Sequence, residues 1–187
     1  MSTAGPFTAL VIGAGNIGAF FDRPDSPDVL THAHAYALHP GFRLAGFVDA
    51  DLARAREAVR VWGGAVFANA DEALGAGLVD VVSVCVPDRL HRAVMEALLG
   101  YPVRLVFAEK PLATTLEDAG ALVSLAGKRN IPVIVNYSRR FVTEISRLKQ
   151  DIADNAYGAF IAGSGLYGKG ILHNGTHLLD LLAYLLG

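Results

Sequence analysis

Between residues 8 and 136, short runs of Val, Ile, Ala and Phe alternate with longer segments in which apolar residues recur every three or four positions. Short, continuous apolar runs read as buried strands, and three-four spacing marks one face of a helix. The pattern predicts strands at 8–12, 43–48, 65–67, 79–86, 103–108 and 132–136, and helices at 52–62, 90–99 and 116–128. Thr114 with Glu117 offers a capping box for the third of these helices. Runs such as "VDVVSVCV" and "PVRLVFA" carry too little alternation for a half-solvated antiparallel sheet. They suit a parallel sheet covered by helices on both sides, an α/β doubly wound (Rossmann) fold.

From Tyr137 the pattern changes. "RRFVTEISRLKQDIADN" reads as an amphipathic helix with Phe141, Ile145 and Leu148 facing inward, "GAFIAGSGLYG" as a glycine-spaced strand, and "HNGTHLLDLLAYLLG" as a final helix. The expected division is a nucleotide-binding domain at 1–137 and, at 138–187, the incomplete start of an α+β substrate or oligomerisation domain. Leu178, Leu179, Leu181, Leu182, Leu185 and Leu186 crowd the last helix. Burying each one fully is worth about 1.5–3 kcal/mol, so they are expected to pack on the first domain or another copy, making a homo-oligomer.

Composition narrows the function classes. Apolar residues make up 52% of the 187 and charged residues 18%, which places the chain among globular proteins with a large core. A formal charge of −2 provides no basic footprint for nucleic acid. The uncharged stretches are too short to span a bilayer, and "MSTAGPF" lacks the basic start and apolar core of an export signal, so the cytoplasm is expected. Cys85, the single cysteine, sits in an apolar run and reads as a small core residue. A small-molecule ligand is the remaining expectation.

The first strand ends in "GAGNIG". Gly13, Gly15 and Gly18 supply the spacing at which a strand turns into a helix with its main-chain amides open to a pyrophosphate. The following "DRPDSPDVL" reads as an insertion near the cofactor. Asp49 stands at the end of the second strand, where a carboxylate either binds the adenosine ribose hydroxyls or caps the next helix. A carboxylate there repels a 2′-phosphate, which favours NAD over NADP, although Arg54 and Arg56 follow on the helix. Asn16 and Ile17 fall within the same loop.

"VPDRLH", "EKP", "NYSRRF" and "HNGTHLLDLL" follow in that order along the chain. With the glycine loop, they resemble the glucose-fructose oxidoreductase and inositol dehydrogenase (Gfo/Idh/MocA) family. The resemblance implies hydride transfer between nicotinamide and a secondary alcohol of a sugar, polyol or sugar nucleotide. It implies cofactor contacts from Val86, Pro87, Glu109, Lys110 and Asn136, and a Lys110 ammonium bridging the substrate hydroxyl and the nicotinamide ribose; His91, one turn into the next helix, either contacts the cofactor or is a helix-surface residue or one that supports the site from behind. A cis peptide between Lys110 and Pro111 is plausible on the same ground.

His177 is the candidate base, and Lys110 would stabilise the developing alkoxide. The family commonly carries Asp four residues before this histidine; His173 stands there instead and either shares the proton relay or binds another substrate group. Asn174 is a further substrate candidate. The pair His173 and His177 also has helical metal-pair spacing, but it lacks the intervening glutamate of zinc hydrolases, and no metal is expected. Arg139 and Arg140 either receive an anionic substrate group or serve locally, capping the sixth strand or pairing with Glu144. His32 and His34, in "THAHAY", are expected to be local surface or helix-packing residues. The alternative to an enzyme is a dinucleotide-binding module that does not turn over.

Overall fold

The computed structural model describes residues 5–75 and 79–187, apart from the side chains of Leu172 and His173. The chain divides into two packing units, Met1–Val135 and Asn136–Gly187.

The first unit is built on a parallel six-stranded sheet: β1 (Phe7–Ile12), β2 (Phe42–Val48), β3 (Ala65–Phe67), β4 (Val81–Val84), β5 (Leu105–Ala108) and β6 (Val133–Val135). Their order across the sheet is β3-β2-β1-β4-β5-β6, so the chain reverses direction of travel between β1 and β4. In doubly wound sheets the crevice at that reversal, outside the carboxyl ends of the strands, is where a dinucleotide lies. All six predicted strands are present, shorter at 79–86, 103–108 and 132–136 than the apolar runs suggest.

Alternation along β1 explains the two-sided core. Ala9 and Val11 point to one face, with Phe47, Ala55 and Trp62, while Leu10 and Ile12 point to the other, with Val82, Met95, Leu98 and Leu122. The first face is covered by α1 (His32–Leu38) and α2 (Leu52–Trp62). The second is covered by α3 (Ala70–Leu74), α4 (His91–Leu98) and α5 (Leu116–Arg129). The cap of α5 is Thr115, whose hydroxyl accepts the Asp118 amide, and not Thr114. The capping pattern is therefore shifted by one residue, because Thr115 is the last residue with extended backbone.

In the second unit, a short turn at Ser138–Phe141 leads into α6 (Thr143–Ala153), and a further turn at Ile171–Gly175 leads into α7 (Thr176–Leu186). The helices pack on each other. The strand expected at 158–168 does not form. Strand geometry persists only when a neighbour takes up its backbone groups. The described part of this unit contains no second strand, and four glycines interrupt the segment. Phe141 is also not on the inward helix face with Ile145 and Leu148: it is 70% exposed. Val142 is extended between the turn and α6, which breaks the helical register. Among the α7 leucines, Leu179, Leu182 and Leu186 are exposed and Leu178, Leu181 and Leu185 half-buried. No helix among the described residues is long and apolar enough to cross a membrane.

Candidate functional site

A cavity of about 820 Å3 opens over the carboxyl ends of β1, β2 and β4, where the sheet order reverses. Gly13, Gly15, Asn16, Ile17, Asp49, Val86 and Pro87 all line it. Ala50, Arg54, Asn69 and the apolar residues Leu90, Ala93, Val94 and Ala97 also line it.

The three glycines serve different purposes. Gly13 has φ +99°, and a Cβ there would lie 2.6 Å from the Cys85 carbonyl, so the turn out of β1 demands glycine. A Cβ at Gly18 would strike the Gly13 carbonyl oxygen, so this glycine lets the loop close on itself behind the cavity. At Gly15 a Cβ would meet nothing within 4 Å, and the residue lines the cavity. Its bare backbone is thus not a packing requirement; it leaves open the space in which a pyrophosphate approaches the main chain. The chain past Asn16 is a five-residue π-turn, Asn16–Phe20, and not a full helix, with the insertion beginning directly after it. A turn of this length sums few peptide dipoles, so the cradle rests on its local amides more than on a helix end.

Asp49 is only 9% exposed. Its Oδ2 accepts the Ala14 amide at 2.8 Å and its Oδ1 accepts the Asp51 amide at 2.8 Å. The cap of α2 is Asp51, whose carboxylate accepts the Ala53 and Arg54 amides, so Asp49 is not the helix cap. Asp49 instead ties the glycine loop to the end of β2 while facing the cavity. The Arg54 guanidinium stands 3.5 Å from it on the cavity wall. Cys85 is buried and also reaches the wall; burial pushes its thiol well above the usual value, which keeps it a neutral small side chain.

His91 does not face the cavity. It is fully buried behind the wall, and its Nε2 lies 3.0 Å from the Val86 carbonyl oxygen, fixing the cavity-lining residue from beneath. Opening α4 at His91 turns the ring inward instead of toward the crevice. Glu109 and Lys110 follow β5 immediately, and the Lys110–Pro111 peptide is cis. Neither residue lines the cavity described above. Asn136 follows β6 as the first residue of the second unit.

Sequence reasoning missed a buried polar chain beneath Glu109. His32 Nε2 lies 3.0 Å from Glu109 Oε1, His32 Nδ1 2.8 Å from Ser83 Oγ, and Tyr36 Oη 2.8 Å from the same Ser83 oxygen. Next to it, the Asp22 carboxylate gathers the Leu30 and Thr31 amides, the Thr31 hydroxyl and His34 Nδ1, folding the 22–31 insertion back onto the start of α1. Burial alone would raise the Asp22 carboxyl, but these bonds outweigh it and hold it below the usual carboxylate value. His32 and His34 are both buried, so neither is a surface residue.

In the second unit, Arg140 donates to both Asp180 oxygens, with Nε at 2.9 Å from each, and its guanidinium lies over the Tyr184 ring. Asp180 raises the Arg140 pKa further. Arg140 is thus an Asp180 partner, and its side chain stays 43% exposed. Arg139 is exposed. His177 meets the Tyr137 ring edge-on, with centroids 5.8 Å apart, and Tyr137 is hydrogen-bonded to Thr176. Asn174 is exposed on the turn before α7, and the His173 side chain lies outside the described residues. Among the described residues no cluster of His, Cys, Asp and Glu is arranged to hold a metal ion.

A parallel sheet of this order, with a glycine cradle facing an acid across the reversal, defines a dinucleotide-binding domain. Residues 7–137 match the family described as "Oxidoreductase family, NAD-binding Rossmann fold" (GFO_IDH_MocA), and the chain belongs to it. It is 37% identical over 153 residues to inositol 2-dehydrogenase of Arthrobacter sp. (strain FB24), covering 81% of this chain and 42% of that protein. With D-glucoside 3-dehydrogenase of Escherichia coli (strain K12) it shares 27% identity, over 99% of this chain and 55% of that one. The crystal structure of myo-inositol dehydrogenase from Lactobacillus casei, in complex with NAD(H) and myo-inositol, superposes with TM-score 0.78 at 23% identity, covering 97% of this chain and 54% of its own. The chain therefore spans about half the length of the relatives it matches. The fit of the site to NAD rests on the open space at Gly15 and the Asp49 carboxylate on the cavity wall.

Proposed function

We propose that this chain is the cofactor-binding part of an NAD-dependent dehydrogenase that oxidises a secondary alcohol of a sugar, polyol or sugar nucleotide. The observation that carries the reading is the pairing of Gly15, bare toward the cavity, with Asp49 across it. The cradle amides would hold the pyrophosphate, and Asp49 would accept from the adenosine ribose hydroxyls. Val86 and Pro87 would flank the dinucleotide further along the crevice. When bound, the nicotinamide supplies the hydride acceptor.

The residues left to the protein are those that orient the alcohol and manage its proton. Lys110, following β5, would place its ammonium near the substrate oxygen and stabilise negative charge as the hydroxyl proton leaves. His177 would take that proton, its ring steadied edge-on by Tyr137. Names of relatives support the substrate class: those proteins are an inositol 2-dehydrogenase and a D-glucoside 3-dehydrogenase.

Titration calorimetry with NAD and NADP, followed by absorbance assays of NADH formation over inositols, glucosides and nucleotide-linked sugars, tests the reading. Binding of NAD with turnover of one of these classes is expected. Binding without turnover of any would leave a dinucleotide-binding module, and no binding at all would overturn the cofactor reading itself.

A further inference from the structure

The chain Tyr36–Ser83–His32–Glu109 is almost wholly buried, with only the Tyr36 ring belonging to the hydrophobic core. His32 is 5% exposed, Ser83 is fully buried and the Glu109 side chain is 12% exposed. It links α1, β4 and the end of β5, elements far apart in sequence. A buried polar chain of this kind is costly unless every member is satisfied.

Donor and acceptor counts leave one arrangement that satisfies it with a neutral ring. A carboxylate only accepts, so His32 Nε2 carries the hydrogen toward Glu109. The neutral ring's Nδ1 is then an acceptor and takes the Ser83 hydroxyl hydrogen. The Ser83 oxygen, its hydrogen committed, accepts from Tyr36. Burial pushes the Tyr36 phenol up to about 12, so it remains a donor at neutral pH. The three donors, Tyr36, Ser83 and His32, all point their hydrogens the same way, toward Glu109. A doubly protonated ring would instead donate to Ser83, and only one of the Ser83 and Tyr36 hydroxyl hydrogens could then be used within the chain.

We propose that His32 is a positioning residue: as the neutral Nε2–H tautomer, oriented by Ser83 and Tyr36, it holds the Glu109 carboxylate and thereby the turn that carries Lys110. The Phe107 ring, with its centroid 5.0 Å from that of His32, packs the imidazole in place. His32 touches neither cofactor wall nor substrate in this scheme. It acts through Glu109 on the residue next in the chain. The catalytic consequence rests on the reading of Lys110 given above, while the tautomer and the hold on the turn do not.

Two substitutions separate the contacts. His32→Gln reaches as far as Nε2 and keeps a donor for Glu109, whereas His32→Asn reaches only as far as Nδ1 and keeps the Ser83 partner alone. Nitrogen-15 spectra of the imidazoles in the 187-residue chain should show His32 as the neutral Nε2–H form. Amide resonances of Glu109 and Lys110 should hold in the Gln variant and move in the Asn variant. With a substrate from the panel above, kcat should fall on the order of 10- to 100-fold for His32→Asn, as a misplaced reacting group does. The Gln variant should recover most of it, and the NAD dissociation constant should stay within about twofold in both.

Ser83→Ala serves if either His32 variant fails to fold; in it the Nε2–H tautomer should persist, set by Glu109, while the Nδ1 resonance and the Glu109 amide should move as the ring loses its orienting bond. An Nδ1–H or doubly protonated ring in the wild type, or equal Glu109 and Lys110 shifts in the Gln and Asn variants, would overturn the proposal. A wild type that binds NAD and turns over no alcohol would sink the dehydrogenase reading alone, and the spectra would still decide this one.

Discussion

The Ala14 amide donates to Asp49 Oδ2 at 2.8 Å, joining the glycine loop after β1 to the residue that follows β2 across 35 positions of sequence. The bond uses one oxygen, and the other accepts the Asp51 amide, so the carboxylate is oriented from both sides before any ligand arrives. Preorganisation of this kind lowers the ordering cost of binding. It also means that Asp49 shapes the cradle as well as facing the cavity.

Replacing Asp49 should therefore act on both charge and shape. Asp49→Asn retains an acceptor for Ala14, loses the one for Asp51 and removes the negative charge that repels a 2′-phosphate, leaving Arg54 on the wall. The ratio of NAD to NADP affinity should fall, with NAD binding about 10- to 100-fold weaker, the scale of lost charge-assisted hydrogen bonds. Calorimetry with both dinucleotides checks this. An unchanged ratio would remove Asp49 from cofactor selection.

Two glycines of one motif should respond in opposite ways. Gly15 has φ −82° and ψ −164°, an ordinary extended conformation, and open space where a Cβ would go. Gly15→Val should leave thermal stability within about 0.5 kcal/mol, as at open surface positions, yet largely abolish NAD binding by filling the cradle. Gly18→Ala should instead cost about 1–3 kcal/mol of stability, because the added methyl meets the Gly13 carbonyl. Denaturant midpoints and NAD titrations on the two variants give the comparison.

Asp22 carries a pH dependence with a definite sign. Its carboxyl is held below its unfolded value, near 3.9, by the bonds from Thr31, Leu30 and His34 that outweigh its burial. Folding therefore favours the ionised form. That stabilisation is complete above the unfolded pKa and disappears as pH falls through the folded one. Urea midpoints measured from pH 7 down to pH 3 should fall more steeply in the wild type than in Asp22→Asn. At pH 7 the variant should be less stable by about 1–3 kcal/mol, the range for buried groups left without partners.

The sheet was legible because its central strands are buried on both faces: "LVI" and "VVSV" are short, continuous apolar runs that suit a covered sheet. The glycine spacing and Asp49 were legible for a local reason, since Gly13 and Asp49 directly follow strand ends and Gly15 and Gly18 lie within six residues of one. What escaped depends on distance or on missing neighbours. The His32 contact with Glu109 spans 77 positions, and Ser83 passed as filler inside an apolar run. The segment 158–168 has strand composition, but pairing is a property of two segments, and composition reads only one. Arg140 was readable as a cation; its engagement with Asp180, 40 positions on, was not.

Tyr36 provides the test of how firmly the polar chain under Glu109 is buried. Its phenol is raised from 10.0 to about 12, chiefly by burial. The unfolded chain therefore releases this proton first as pH rises, and stability declines between pH 10 and 12 by a total of about 2–3 kcal/mol from this group. Tyr36→Phe removes that decline along with the bond to Ser83, which is worth about 1 kcal/mol at neutral pH. The wild type should be the more stable protein at pH 7, and its advantage should shrink above pH 10 and vanish near pH 11. Cys85 is raised in the same direction and remains in both proteins, so the difference between the two curves isolates Tyr36. Parallel curves from pH 7 to 11 would mean that water reaches the phenol, and that the hydrogen bond order leading to Glu109 is not sealed at its first member.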